Sequence, residues 1–340
     1  MASAVASVIA ETITMRAIVQ EGSGSAEVLH LRDIGRPAVP VDGVLVRVHA
    51  ASVNASDYHV IRGGLLVGII GRLLGRKRDP AETAVPGGDV AGTIVEVGKD
   101  VTTLRPGDEV FGVARGAWAE YALGSERGLL PKPARLSFVE AATLGVAPIT
   151  ALQGLRDIAG VRPGQRVLVY GAGGGVGTFA VQIAKALGAH VTAVTGPRSI
   201  DLVRPLGADV LVDYTKEDVA KRPERYDVIY DVAAIRSIGT LRRMLAPGGL
   251  LVMAGAAKKG GWGLFARLGA AIIRGRLLKQ RVVFYMARIR RDDLAYLAAL
   301  VEAGKLRPVI ERTYPLSETR EAVRYTMTGQ ARAKVVIEVS

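Results

Sequence analysis

Residues Val167 to Lys185 read VLVYGAGGGVGTFAVQIAK. A short run rich in β-branched residues ends in glycines, and the glycines open straight into a helical pattern. Such a turn binds phosphate. Glycines admit the backbone to the oxygens, and the free N–H groups at a helix start face negative charge. The spacing is Ala172-x-Gly174-x-x-Gly177, with Ala where the usual fingerprint has its first glycine. Gly174, Gly175, Val176 and Gly177 are therefore the candidate pyrophosphate contacts of a dinucleotide.

The choice of dinucleotide is made further on. An enzyme selective for NADH carries Asp or Glu about 20 residues past the glycines, to accept from the ribose 2′-hydroxyl. That place falls near Thr195 and is followed by Gly196, Pro197, Arg198 and Ser199. No carboxylate repels a 2′-phosphate there, and Arg198 can pair with one. The expected cofactor is NADPH, with Thr195, Arg198 and Ser199 around the phosphate. Tyr214 adds a hydroxyl to the phosphate or a ring to the adenine; core packing is the alternative for it, and a solvated surface charge for Arg198.

Further elements must hold this turn. Strands are predicted over 190–196, 209–214, 225–231 and 250–255, with helices over 200–207 and 238–245 between them. Continuous apolar strands alternating with helices imply a buried parallel sheet, so the fold class is α/β, doubly wound. The chain ahead of it lacks this alternation. Strands over 16–20, 43–49 and 90–97 are separated by turns such as Pro106-Gly107-Asp108, and strand patterns return over 309–316 and 334–338. Both ends of the chain are thus expected to build one β-rich domain, 15–146 with 290–340, around a nucleotide domain at 147–289. Residues 1–14 read as a disordered extension.

At 340 residues the chain can bury two cores. It has no cysteine, hence no disulfide framework and no thiolate chemistry. No apolar run reaches about 18 residues, the length of a membrane span, and the first residues resemble neither a signal nor a transit peptide. These features fit a cytoplasmic protein. The net charge of +13 is concentrated in two places. Arg72, Arg76, Lys77 and Arg78 form one, and a stretch from Lys258 to Arg281 without Asp or Glu forms the other. Basic residues interleaved with Leu, Ile, Phe and Trp suit either an anionic membrane surface or a solvated face; RNA would bind only non-specifically.

Pro86-Gly87-Gly88-Asp89-Val90-Ala91-Gly92, Arg105-Pro106-Gly107-Asp108-Glu109-Val110-Phe111-Gly112, Gly116-Ala117-Trp118-Ala119-Glu120-Tyr121 and Thr150-Ala151-Leu152 stand in an order that resembles the medium-chain dehydrogenase/reductase superfamily, in its zinc-independent, quinone oxidoreductase-like branch. The resemblance spans residues 15–340 and implies a Rossmann sheet inserted into a GroES-like domain. The zinc branch carries a Cys ligand where this chain has Asn54, and a His in Gly-His-Glu where it has Gly88 before Asp89. A catalytic zinc needs three protein ligands, so none is expected.

Without a Lewis acid, hydride transfer to an already electrophilic acceptor is the accessible chemistry. The site must position rings, exclude water and donate a hydrogen bond. Within Val53-Asn54-Ala55-Ser56-Asp57-Tyr58-His59, Asn54 is the candidate donor to the acceptor oxygen, Asp57 the group that orients Asn54 or the ribose, and Tyr58 or His59 the proton relay. An Asn-x-x-Asp turn that only satisfies its own backbone is the alternative. By resemblance, the Thr150 hydroxyl approaches the nicotinamide, and backbone near Phe284 to Met286 meets its amide. The sixth strand is read over 281–289, and the resemblance implies that it pairs with its twin in a homodimer. The expected function is NADPH-dependent reduction of a quinone, an α,β-unsaturated carbonyl or a reactive aldehyde. The competing expectation is an NADP(H)-binding scaffold or redox sensor on a membrane surface.

Overall fold

The computed structural model describes residues 13–63, 85–254 and 280–339. Six strands form an all-parallel sheet in the order β10-β9-β8-β11-β12-β13. They are β8 (Arg166–Tyr170), β9 (His190–Thr195), β10 (Val210–Asp213), β11 (Tyr226–Asp231), β12 (Leu245–Ala254) and β13 (Arg281–Tyr285). In β8 every residue after Arg166 is buried, as a parallel strand covered on both faces requires. The order reverses between β8 and β11, the switch point of a doubly wound sheet, and the glycine turn leaves β8 there.

The second sheet runs β14-β15-β3-β4-β5-β7, with β6 also paired to β3. Its strands are β3 (Gly43–Val53), β4 (Asp89–Val97), β5 (Glu109–Val113), β6 (Tyr121–Ser125), β7 (Leu129–Pro131), β14 (Ile310–Pro315) and β15 (Lys334–Glu338); a separate pair joins β1 (Thr14–Gln20) to β2 (Leu29–Gly35). The end of the chain therefore returns to the sheet it began, with β15 antiparallel to β3. The nucleotide-type sheet is an insertion in a GroES-like domain. One hydrophobic cluster joins the two, from Ala50, Ala91 and Phe111 through Leu152 to Val169 and Phe179.

Three helices position the site: α1 (Ala55–Arg62) after β3, α2 (Val146–Leu152) ahead of the parallel sheet, and α3 (Gly175–Ala186) after the glycine turn. Gly177 lies where α3 crosses β8's exit. A Cβ there would come within 2.1 Å of the Gly171 carbonyl oxygen, so only glycine allows this close approach. Gly87 has φ +93°, and a side chain would strike the fully buried Trp118. This turn delivers Asp89 to the start of β4.

Several boundaries differ from the sequence reading. Thr14 opens β1, where its pairing with Gly35 overrides the expected disorder; residues 1–12 of that extension lie outside the described residues. The helix expected over 200–207 is an α-turn over Ile200–Val203 that tightens into a 3₁₀ turn over Arg204–Leu206, closed by left-handed Gly207. The helix expected to Leu245 ends at Arg243, because Leu245 already pairs with Tyr226 ahead of a bulge at Pro247-Gly248-Gly249. The sixth strand stops at Tyr285 rather than Ile289. The basic stretch at 72–78 and most of that at 258–281 lie outside the described residues. Among the described residues no helix is long and apolar enough to cross a membrane.

The glycines make a contrast that thermal melts can read. Gly177→Ala forces Cβ into backbone and should destabilise the fold by about 1–3 kcal/mol. Gly174→Ala has only the Gly171 oxygen near, at 3.6 Å, and should stay within about 0.5 kcal/mol of the parent. Equal melting temperatures for both variants would refute the close-packing account.

Candidate active site

The glycine turn is built to receive something. Gly174 is the N-cap of α3, in extended conformation, and the space where its Cβ would stand is open. The first N–H groups of a helix have no intrahelical acceptor, so Gly175, Val176 and Gly177 present donors at that opening. Gly173 packs on Thr195 and Ser199, both buried, so these two side chains support the turn from below. Arg198 is exposed, and its carbonyl accepts from Arg332 Nη1 at 2.6 Å. Tyr214 is half exposed, with its hydroxyl against Gly196. The geometry fits a dinucleotide pyrophosphate at the turn, with a cation and two hydroxyls at the end of β9.

The C-terminal segment clamps this turn. Ala333 N–H donates to the Gly173 carbonyl at 2.8 Å, and Ala333 bridges Gly174. Ala333 holds a left-handed φ of +48°, an unfavourable state for a residue with a Cβ that the surrounding contacts must impose.

The next residue turns inward. Lys334 is 2% exposed, and its ammonium reaches Asn54 Oδ1 at 2.6 Å and Asp89 Oδ2 at 3.3 Å. Asp89 is fully buried and satisfied from every side. Its Oδ2 also accepts from Ser52 Oγ at 2.7 Å and from Asn54 Nδ2 at 2.8 Å, while Oδ1 accepts from Val146 N–H at 2.7 Å, at the start of α2. Gly145 makes this possible, since a Cβ there would lie 2.2 Å from Asp89 Oδ1. A buried carboxylate persists only when paired and hydrogen-bonded, and this one is both.

Asn54 is thus held on both sides of its carboxamide. Its backbone N–H donates to Asp57 Oδ2 at 2.7 Å, which caps α1. Burial raises the Asp57 carboxyl to about 7, and the Asp89 charge adds to that; the Asn54 N–H and Lys334 oppose it. Burial likewise raises the Tyr58 hydroxyl against the pull of Arg62, so Tyr58 keeps its proton at neutral pH. His59 is lowered by burial and then by Arg62, so it is neutral there. The two rings lie 4.6 Å apart.

Thr150 sits on α2, with its hydroxyl donating to the Val146 carbonyl at 2.7 Å. Its own carbonyl accepts from Tyr230 on β11 and Tyr285 on β13, whose hydroxyls are 2.8 Å apart. Phe284 is half-buried in β13, whereas Met286 lies past the strand end and is 63% exposed. The sequence reading did not single out Lys334, Ser52 or a structural role for Asp89. A lysine opening an apolar strand, and a lone carboxylate before another, were the available signals.

A doubly wound parallel sheet with a glycine turn, inserted in a second sheet whose buried polar cluster adjoins that turn through Ala333 and Lys334, has the architecture of a two-domain nicotinamide-dependent oxidoreductase. Residues 41–134 match the alcohol dehydrogenase GroES-like domain, and residues 206–337 match the zinc-binding dehydrogenase family. The chain is 35% identical to human NAD(P)H oxidoreductase RTN4IP1, mitochondrial, over 87% of this chain and 81% of that protein. It is 32% identical to the NADPH-dependent alkenal/one oxidoreductase, chloroplastic, of Arabidopsis thaliana, over 95% and 79% of the two chains. The quinone oxidoreductase structure from Coxiella burnetii superposes with a TM-score of 0.83 at 30% identity, covering 96% of this chain and all of the other. The chain belongs to the medium-chain dehydrogenase/reductase superfamily, in its quinone oxidoreductase-like branch.

The zinc in one family's description does not suit these residues. There is no cysteine, and no group of three or more His, Asp or Glu among the described residues could hold a metal. Asn54 and Asp89 are instead bound by an ammonium.

The raised Asp57 carboxyl has a consequence for stability. Folded protein binds this proton more tightly than unfolded chain, whose carboxyl titrates near 3.8. Protonation therefore stabilises the fold, and that contribution is lost as pH rises through about 7. Asp57→Asn should flatten this part of the pH dependence. Urea midpoints of both proteins from acid to neutral pH test it; parallel curves would contradict the assignment.

Proposed function

We propose that the protein is a zinc-independent, NADPH-dependent reductase of electrophilic carbonyl compounds: quinones, α,β-unsaturated carbonyls or reactive aldehydes. The observation that carries this reading is the Asn54 carboxamide, fixed by Asp89 and Lys334 one residue away from the segment that clamps the glycine turn. The names of the relatives, with NADPH, alkenal/one and quinone among them, support it.

The turn at Gly174–Gly177 holds the pyrophosphate, and the exposed Arg198 and half-exposed Tyr214 hold the 2′-phosphate, with buried Ser199 supporting the turn behind them. Thr150 and the backbone of 284–286 border the nicotinamide. NADPH supplies the hydride. Conjugated acceptors spread the arriving charge onto oxygen, so the protein has to stabilise an oxyanion and deliver a proton. Asn54 Nδ2 donates one hydrogen to Asp89 and, among the described residues, has no acceptor for its second. That second N–H is directed to the acceptor oxygen. Tyr58, which keeps its proton at neutral pH, and neutral His59, with one N–H and one unprotonated ring nitrogen, are the two groups that can relay the proton.

Two measurements test this function. NADPH should bind more tightly than NADH, and Arg198→Ala should narrow the gap by about tenfold or more, the value of a charged phosphate contact. Equal affinities in the unmutated protein would sink the cofactor assignment. Asn54→Ala should lower kcat for enones by about 10²-fold or less, because conjugation already stabilises much of the charge, while the NADPH dissociation constant changes little. An unchanged rate with every acceptor would leave Asn54 as a turn residue only.

A further inference from the structure

We propose that Lys334 is a positioning residue for this reduction: its ammonium orients and polarises the Asn54 carboxamide and is the fixed positive charge of the site. The proposal rests on the reductase reading of Asn54 and adds a residue that acts through it.

An ammonium has three protons and no acceptor site. Lys334 Nζ has three acceptors, Asn54 Oδ1 at 2.6 Å, Asp89 Oδ2 at 3.3 Å and the Val53 carbonyl at 3.4 Å. No proton is left over for a substrate, so Lys334 is not the donor. Its effect is on Asn54. A cation on Oδ1 and a carboxylate on one Nδ2–H admit a single orientation of the amide, since the flipped form would aim N–H at an ammonium. The cation also withdraws electron density toward Oδ1, which strengthens the remaining Nδ2–H as a donor. The charge is effective because the site is dry: Lys334, Asp89 and Asn54 are 2%, 0% and 6% exposed.

The placement of Lys334 is equally specific. It follows Ala333, whose N–H holds the glycine turn, and its Cδ would lie 3.4 Å from a Cβ on Gly175. Adjacent residues therefore divide the work: the Ala333 backbone holds the cofactor turn, and the Lys334 ammonium holds the donor. Here Asn54 and Asp89 hold an ammonium, which cannot bind substrate oxygen and must act through the amide.

Lys334→Ala removes the ammonium and leaves room for a small amine. Turnover of an enone should fall on the order of 10- to 100-fold, the scale of a lost positioning contact, with the NADPH dissociation constant little changed. Added n-propylamine should restore kcat severalfold, and 1-propanol should not. In an Asn54→Ala background, Lys334→Ala should lower kcat no further. Equal rescue by amine and alcohol, or fully additive losses, would overturn the proposal. Removing one partner of a buried pair endangers folding. Should Lys334→Ala not fold, Lys334→Met/Asp89→Asn removes both charges and should show the same loss; full kcat in it would overturn the proposal. A second readout needs no turnover. The Asn54 side-chain amide resonance, assigned by its loss in Asn54→Ala, should shift in Lys334→Ala and return with propylamine. An unmoved resonance refutes the positioning claim, whereas a wild-type protein inert to every acceptor refutes the reductase reading instead.

Discussion

A single buried carboxylate constrains this structure. Asp89 cannot sit charged inside the protein without partners, and its partners come from distant parts of the chain. Ser52 and Asn54 bracket the end of β3, Val146 opens α2, and Lys334 opens β15, 245 residues further along. Satisfying Asp89 therefore closes the GroES-like sheet with the C-terminal strand and seats the helix that leads into the parallel sheet. The insertion of one domain into the other is sealed at this seam, where the proposed donor also stands.

The same seam couples the two halves of the site. Ala333 is bonded to the glycine turn and Lys334 to Asn54, so adjacent residues fix the phosphate cradle and the carboxamide. The left-handed backbone of Ala333 is the local strain that this junction requires. Asp57 completes the arrangement from the other side. It accepts the Asn54 N–H, and its burial beside Asp89 brings its titration to neutrality.

Much of the fold was legible because parallel strands leave a plain trace. Runs such as VLVY and LLVMA are apolar throughout, and the helices between strands stop near glycine or proline. Boundaries were less legible where tertiary pairing won over local signals, as when Leu245 joined β12 despite Pro247-Gly248-Gly249 two residues on. The glycine turn and Asn54-x-x-Asp57 could be read from spacing, since each is local. Lys334 could not. Ahead of Val335-Val336-Ile337 it has the pattern of a solvated strand end, and only the three-dimensional return of β15 to β3 brings it against Asp89. Residues whose role is to neutralise a distant charge carry no periodicity, so sequence reading finds them only when both members of the pair are suspected.

In the proposed reaction, protein groups organised around an ammonium support hydride transfer without zinc, in a chain that also matches the zinc-binding dehydrogenase family. This reading is tested most directly by following NADPH oxidation with an enone or quinone before and after exhaustive chelation, with zinc counted in the same samples. The account predicts undiminished turnover in protein holding far less than one zinc per chain. Activity that falls with zinc content and returns when zinc is restored would contradict it.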